Sequence, residues 1–118
     1  VLVGLGGGVG SILRYFSTVY SNKLFHTAFP VGTFFVNMVG CFMIGLLIGL
    51  IEHQQVLNVN HRFLFVTGFC GGFTTFSAFS AESLAMIESG NILSGVLYIT
   101  ASILFGLFAV WLGIILLK

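Results

Sequence analysis

The chain has 118 residues, of which 58% are hydrophobic and only 6% are charged. Soluble domains usually carry about 25% charged residues, so four Lys or Arg and three Asp or Glu are too few to cover a water-facing surface. The formal net charge of +1 provides no basic face for nucleic acid. The composition therefore predicts a membrane protein and excludes a soluble globule and a nucleic-acid-binding domain.

Apolar segments long enough to span a bilayer cover about residues 1–21, 31–52, 62–88 and 92–117, since a spanning helix needs roughly 20 apolar residues. Short polar stretches separate them, which favours antiparallel neighbours in a compact unit. These stretches are Ser21–Pro30, Glu52–Arg62 and Glu88–Asn91. We expect residues 1–118 to form one all-α membrane domain of four transmembrane helices.

The positive charges give a weak orientation signal. If the N-terminus is cytoplasmic, Arg62 and Lys118 lie inside and Lys23 lies outside, a difference of one charge. Arg14 lies within the first span and contributes little to this balance. The pattern is permissive for dual topology, in which the chain inserts in both orientations.

Glycine is abundant, with 16 residues, and several glycines are four positions apart. Such pairs let helix backbones approach closely in lipid. Examples are Gly6 with Gly10, Gly45 with Gly49, and Gly68 with Gly72. Packing inside one protomer accounts for most of them. Four short helices enclose little volume, however, so the surplus of small residues leads us to expect a homodimer.

The third span contains a segment that is poorly suited to a helix interior, Gly71-Gly72-Phe73-Thr74-Thr75. Each glycine costs roughly 1 kcal/mol relative to alanine in a helix. Backbone groups that are freed at membrane depth must bond to protein, water or an ion. We therefore predict a break in the third helix at about residues 71–75, of the kind that presents carbonyl groups to ions in transporters.

Two stripes of side chains with three-residue spacing accompany this break. One consists of Phe73, Phe76 and Phe79, and the other of Thr74, Ser77 and Ser80. Aromatic stripes most often serve packing, and hydroxyls in spanning helices often bond their own i−4 carbonyl. A pathway is favoured only if polar groups of the other spans converge on the stripes. The candidates are Arg14, Thr33, Asn37, Tyr98 and Ser102.

The chemical character of these side chains favours a small, weakly polarizable anion over a cation. Hydroxyls and an amide donate hydrogen bonds, and phenylalanine rings have positive edges. Glu82, six residues before Glu88, is expected near a helix end at the membrane interface. The sequence contains no nucleophile with a base, no metal cluster and no paired carboxylates, so we expect a transport protein and not an enzyme.

Three segments of the sequence resemble the Fluc (CrcB) fluoride channels. They are Gly6–Tyr15, Gly32–Gly40 and Gly68–Ser80, and they occur in the family's order. The third segment is the most specific, and the resemblance covers essentially the whole chain. The sequence differs from many members at Ala78 and Gly106, where a hydroxyl is common in the family.

The resemblance implies an antiparallel, dual-topology homodimer in the lipid bilayer of a bacterial inner membrane. Its two pores would pass fluoride passively and selectively out of the cell and relieve fluoride toxicity. Fluoride would contact the ring edges of Phe76 and Phe79 and the amide of Asn37. A structural sodium ion at the dimer centre would be held by the backbone carbonyls of Gly71 and Thr74. The resemblance also implies an arginine at a vestibule, which would be Arg14. It further implies a pore lining of hydroxyl groups, which would be those of Thr33, Thr75, Ser77, Ser80, Tyr98 and Ser102.

Two alternatives belong to other functional classes. A small multidrug-resistance-type exporter shares the four spans and dual topology, but it couples protons to cation export through a carboxylate in its first helix. The first span here contains Arg14 and no acidic residue. A non-transporting assembly subunit would explain the glycines, but not the polar groups predicted around the third helix.

Overall fold

The structure is a computed structural model, and it describes residues 1–24, 29–54 and 59–117. Lys118, which contributes to the orientation signal, lies outside the described residues. So do residues 25–28 and 55–58 of the first two polar stretches between the predicted spans.

The described part of the chain is helical and contains no β-strand. Among the described residues, three segments are long and apolar enough to cross a membrane: Val31–Ile51, Arg62–Glu88 and Ile92–Leu116. The first helix is not one of them, so a fourth span remains a prediction. In chain order the elements are α1 (Leu2–Leu24), α2 (Val31–Gln54), α3 (Val59–His61), the π-helix π1 (Arg62–Cys70), α4 (Gly71–Phe73), α5 (Phe76–Glu88) and α6 (Ile92–Leu116).

Two short sequence signals set the starts of α2 and α6. Pro30 precedes α2, and its carbonyl accepts the N–H of Phe34 at 3.1 Å, which closes the first turn of that helix. Gly90 separates α5 from α6 with φ of 95°, a conformation that glycine adopts without a Cβ clash. The N–H groups of Gly90 and Asn91 bond to carbonyls of α5, so the helix ends with satisfied groups.

Glycines bring the helix backbones into direct contact. A Cβ added at Gly6 or Gly10 of α1 would collide with backbone oxygens of π1. A Cβ added at Gly72 would meet the backbone of Gly7 in the same way. Gly45 and Gly49 of α2 lie against backbone atoms of α6. The predicted glycine pairs therefore pack inside one protomer, with α1 against π1 and α4, and α2 against α6.

The π-helix is a feature that the sequence analysis did not predict. It covers nine residues, Arg62–Cys70, and leads directly into α4. Its wider backbone lies beside α1, where Gly68 is buried against Val3 and Gly6. π-Helical turns in proteins occur frequently at functional sites, and π1 lies directly before α4 and the two residues that separate α4 from α5.

Candidate functional site

Two extended residues separate α4 from α5. Thr74 has φ of −88° and ψ of 159°, and Thr75 has φ of −148° and ψ of 122°. Within the range 71–75, in which the sequence predicts a break, Gly71–Phe73 are helical and only the two threonines are extended. Such an interruption removes the regular i−4 acceptors and donors on both sides, so these groups need other partners.

The two threonine side chains provide some of those partners. Thr75 is the N-cap of α5, and its Oγ1 accepts the N–H of Ala78 at 3.2 Å. The Oγ1 of Thr74 donates to the carbonyl of Cys70 at 2.9 Å, so it turns back toward π1. The hydroxyl of Ser77 lies 3.3 Å from that of Thr75. Both threonines therefore stabilise the ends of the interruption itself.

The Asn37 side chain of α2 forms hydrogen bonds with the backbone at the interruption. Its Oδ1 accepts the N–H of Thr75 at 2.9 Å, and its Nδ2 donates to the carbonyl of the same residue at 3.2 Å. A side-chain amide has two N–H donors, so one of them remains for another acceptor. Asn37 thus combines a structural role with a donor that can face a ligand.

The Arg14 side chain of α1 forms a hydrogen bond with the backbone just before the interruption. Its Nε donates to the carbonyl of Gly72 at 3.0 Å. In a continuous helix this carbonyl would accept the N–H of Phe76, which now begins α5. The guanidinium has further N–H donors beyond Nε, and the side chain is half-buried.

A cavity of about 300 Å³ adjoins the interruption. Its wall is mainly apolar, with a few polar groups. The lining consists of Asn37, Met38, Cys41, Ile44, Thr74, Thr75, Phe76, Phe79, Ser102 and Ile103. The rings of Phe76 and Phe79 have centroids 5.9 Å apart, and Phe76 is 77% exposed at the protomer surface. Several residues singled out in the sequence therefore meet in one concave site.

A second polar cluster lies further along α5 and centres on Glu82. Thr33 of α2 donates its hydroxyl to Oε2 of Glu82 at 2.9 Å, and Tyr98 of α6 donates to Oε1 at 3.3 Å. Thr33 is 4% exposed and Tyr98 is fully buried. The ring of Tyr98 also contacts Phe79, with centroids 5.1 Å apart, so the cluster adjoins the first cavity.

Glu82 is the residue that the sequence analysis left without a role. The sequence suggested only a carboxylate near a helix end, whereas the structure gives it hydrogen bonds from two other helices. One available signal was its spacing, since Glu82 continues the three-residue series of Phe76 and Phe79. A second cavity, of about 440 Å³, begins at Glu82 and extends to the turn between α5 and α6.

Not every candidate from the sequence reaches these cavities. Ser80 is exposed and lines neither of them, and Ser77 is exposed beside Thr75. Gly71 is exposed, and an added Cβ would meet nothing within 4 Å. Gly71 therefore lies on the surface of the protomer, next to the interruption.

These observations define an all-α, multi-pass membrane protein with an interrupted helix beside a polar and aromatic cavity. Residues 1–114 match the family described as "CrcB-like protein, Camphor Resistance (CrcB)". The chain belongs to this CrcB family, as its sequence resemblance indicated.

Relatives over nearly the full length support the same assignment. A protein named fluoride-specific ion channel FluC from Flavobacterium psychrophilum is 47% identical over 116 residues, which cover 98% of this chain and 94% of the relative. A protein of the same name from Azobacteroides pseudotrichonymphae is 47% identical over 115 residues, or 98% and 92% of the two chains. One from Rhizobium etli is 43% identical over 118 residues, or 100% and 94%.

Proposed function

We propose that this chain is the subunit of a passive, selective fluoride channel, and not an enzyme, that lets fluoride leave the cytoplasm and so relieves its toxicity. The observation that carries the proposal is the convergence of Phe76, Phe79 and the Asn37 amide on one cavity beside an interrupted helix. The names of the relatives as fluoride-specific channels point to the same ion.

The lining suits the physical requirements of fluoride. The ion is strongly hydrated, so a pathway must replace its water with other donors. The free N–H of Asn37 and the hydroxyl of Ser102 can provide hydrogen bonds. The positive edges of the Phe76 and Phe79 rings add weaker attraction in a dry, narrow space. Fluoride is small enough to use all of these groups, whereas a larger anion has a lower charge density and gains less from them.

The remaining hydroxyls extend this path beyond the cavity. Thr75 and Ser77 lie at its start beside the interruption, and Ser80 is the outermost member that we propose. We also place Thr33 and Tyr98 along it, because both donate hydrogen bonds to Glu82, which lines the second cavity. We assign Arg14 to the vestibule, the wide opening through which the ion approaches, because its guanidinium keeps donors that Gly72 does not use.

The active unit that we propose is an antiparallel, dual-topology homodimer in the bacterial inner membrane, with two pores between the protomers. This assembly is supported by the exposed position of Phe76, since a pore residue that is 77% exposed needs a further wall. The apolar surface of the described helices is suited to both lipid and a second copy.

A sodium ion between the two copies fits the residues at the interruption. The N–H of Thr75 would bond to Gly71 in a continuous helix, but it bonds to Asn37 instead. The N–H of Ala78 would bond to Thr74 in the same way, but it bonds to the side chain of Thr75. The carbonyls of Gly71 and Thr74 thus lose their regular donors and offer hard oxygen atoms to a cation. When bound, the ion supplies positive charge that offsets the cost of an anion in a low dielectric.

The test is fluoride efflux from liposomes that contain the purified protein. A fluoride electrode records release under a potassium gradient with valinomycin, and chloride serves as the control ion. We expect fast fluoride release without chloride release. Release of neither ion would contradict the channel. Uptake of a toxic cation in exchange for protons would favour the exporter.

A further inference from the structure

Arg14 makes a contact that its position at a vestibule does not require. Its Nε reaches across 58 residues of sequence to the carbonyl of Gly72, the second residue of the short α4. That helix has only three residues and ends where Thr74 becomes extended. The contact therefore falls on the last helical turn before the interruption, where carbonyls have lost their helical donors.

The contact is supported by the way in which α1 lies against the same segment. The backbone of Gly7 touches Gly72, and Gly10 touches the backbone of Phe69 and Phe73. These close approaches place the start of the Arg14 side chain one helical turn from a fixed backbone contact. The Arg14 bond to Gly72 is thus one of several contacts that hold α1 and α4 together.

The interruption is held from two helices as a result. Asn37 of α2 binds both backbone groups of Thr75, and Arg14 of α1 binds the carbonyl of Gly72. The carbonyl of Thr74 lies between these two points, and the carbonyl of Gly71 lies directly before the first of them. Loss of the hydrogen bonds of either side chain would let the backbone between Gly72 and Thr75 rotate.

We propose that Arg14 is a positioning residue for the interrupted helix, acting through its Nε–H bond to Gly72 and not through its charge. The consequence for permeation rests on the proposed fluoride channel, because Arg14 would act there through Thr75 and Phe76. A residue that only attracts anions into a vestibule would depend on charge instead. The two roles therefore require different chemical properties of the same side chain.

Three substitutions of Arg14 distinguish the effect of the N–H donor at the Nε position from the effect of the positive charge. In Arg14→Gln the Nε2 atom is four bonds from Cα, as Nε is in arginine, so a donor remains without the charge. In Arg14→Lys a methylene takes that position and the ammonium group lies one bond further out, so the charge remains without a donor at the place of Nε. Arg14→Met keeps neither property. Lys23→Gln is the matched control, since it removes an exposed positive charge from the end of the same helix.

The first experiment measures amide hydrogen exchange of the full chain in lipid nanodiscs, in the peptide that covers residues 71–78. We expect exchange about tenfold faster in Arg14→Lys and Arg14→Met, because the loss of a hydrogen bond that leaves a part-buried carbonyl without its partner costs about 1.4 kcal/mol, which is that factor. Arg14→Gln and Lys23→Gln are expected to exchange like the original chain. Faster exchange in Arg14→Gln but not in Arg14→Lys, or no change in any variant, overturns the proposal.

The second experiment measures fluoride efflux from liposomes with the same variants. Flux is expected to follow the donor, so Arg14→Gln passes more fluoride than Arg14→Lys and Arg14→Met do. Flux that follows the charge overturns the positioning role. If the original chain passes no fluoride, the proposed function fails, while the exchange measurements still decide the role of Arg14.

Discussion

Asn37 and Thr75 pair through both polar groups of one peptide unit: the Asn37 carbonyl oxygen accepts from the Thr75 N–H at 2.9 Å, and its amide nitrogen donates to the Thr75 carbonyl at 3.2 Å. This pairing imitates the two hydrogen bonds between neighbouring β-strands. It lets a residue in an extended conformation exist between two helices, since no backbone group of Thr75 is left without a partner.

The first prediction concerns the donor half of that pairing. Asn37→Asp keeps an acceptor for the Thr75 N–H, but it loses the donor to the Thr75 carbonyl and places a negative charge on the cavity wall. We expect fluoride efflux to fall by at least about tenfold, because a single unfavourable charge contact costs more than 1.4 kcal/mol in a low dielectric. Asn60→Asp adds the same charge at an exposed site on α3 and should leave efflux unchanged. Retained flux in Asn37→Asp would refute the assignment.

The second prediction concerns the aromatic wall of the cavity. The Phe79 ring lies between those of Phe76 and Tyr98, at centroid distances of 5.9 and 5.1 Å. Phe79→Ile removes the ring edge but keeps an apolar side chain of similar bulk, so the fold should persist while fluoride efflux is lost. Phe108→Ile makes the same change at a ring that is 54% exposed on α6, and it is expected to keep full efflux. Size-exclusion chromatography in detergent checks that both variants elute alike.

Much of this cavity could be predicted from the sequence because its members are conspicuous along the chain. Asn37 is an amide in an apolar span, and Phe76 and Phe79 have a spacing that places them on one helix face. Glu82 has the same spacing, yet its closeness to Glu88 suggested a helix end at the membrane interface. Its partners lie on α2 and α6, and the rotation of those helices about their axes cannot be read from periodicity.

The exact extent of the interruption was also beyond the sequence. Two glycines and two threonines indicate a weak helix over 71–75, but all four residue types also occur in regular helices. Gly71 and Gly72 stay helical, and Gly72 does so in backbone contact with Gly7. Thr75 becomes extended where Asn37 offers two bonds. Tertiary partners therefore decide which residues leave the helix.

The third prediction uses two glycines of α1 with opposite surroundings. A Cβ at Gly10 would collide with the backbone oxygen of Phe69, whereas a Cβ at Gly8 meets nothing within 4 Å in the protomer. Gly10→Ala is expected to destabilise the fold by about 1–3 kcal/mol, since backbone cannot move aside as a flexible side chain does. Gly8→Ala should be neutral or stabilise by up to about 1 kcal/mol, because alanine is the better helix former. Thermal unfolding in detergent distinguishes them, and equal melting temperatures would contradict the close packing of α1 on π1.

The last prediction concerns the two hydroxyls that share the Glu82 carboxylate. Tyr98→Phe removes one donor from a buried site and is expected to destabilise the protein by about 1.5–3 kcal/mol, the usual range for a hydrogen bond to a charged group. Tyr15→Phe makes the same change at a ring that is 64% exposed and should have no effect. In a Glu82→Leu background the buried Tyr98 hydroxyl has lost this acceptor, so the same Tyr98→Phe change should become neutral or stabilising. A cost that is equal in both backgrounds, measured by thermal unfolding, would show that the Tyr98 hydroxyl stabilises the fold through some other contact.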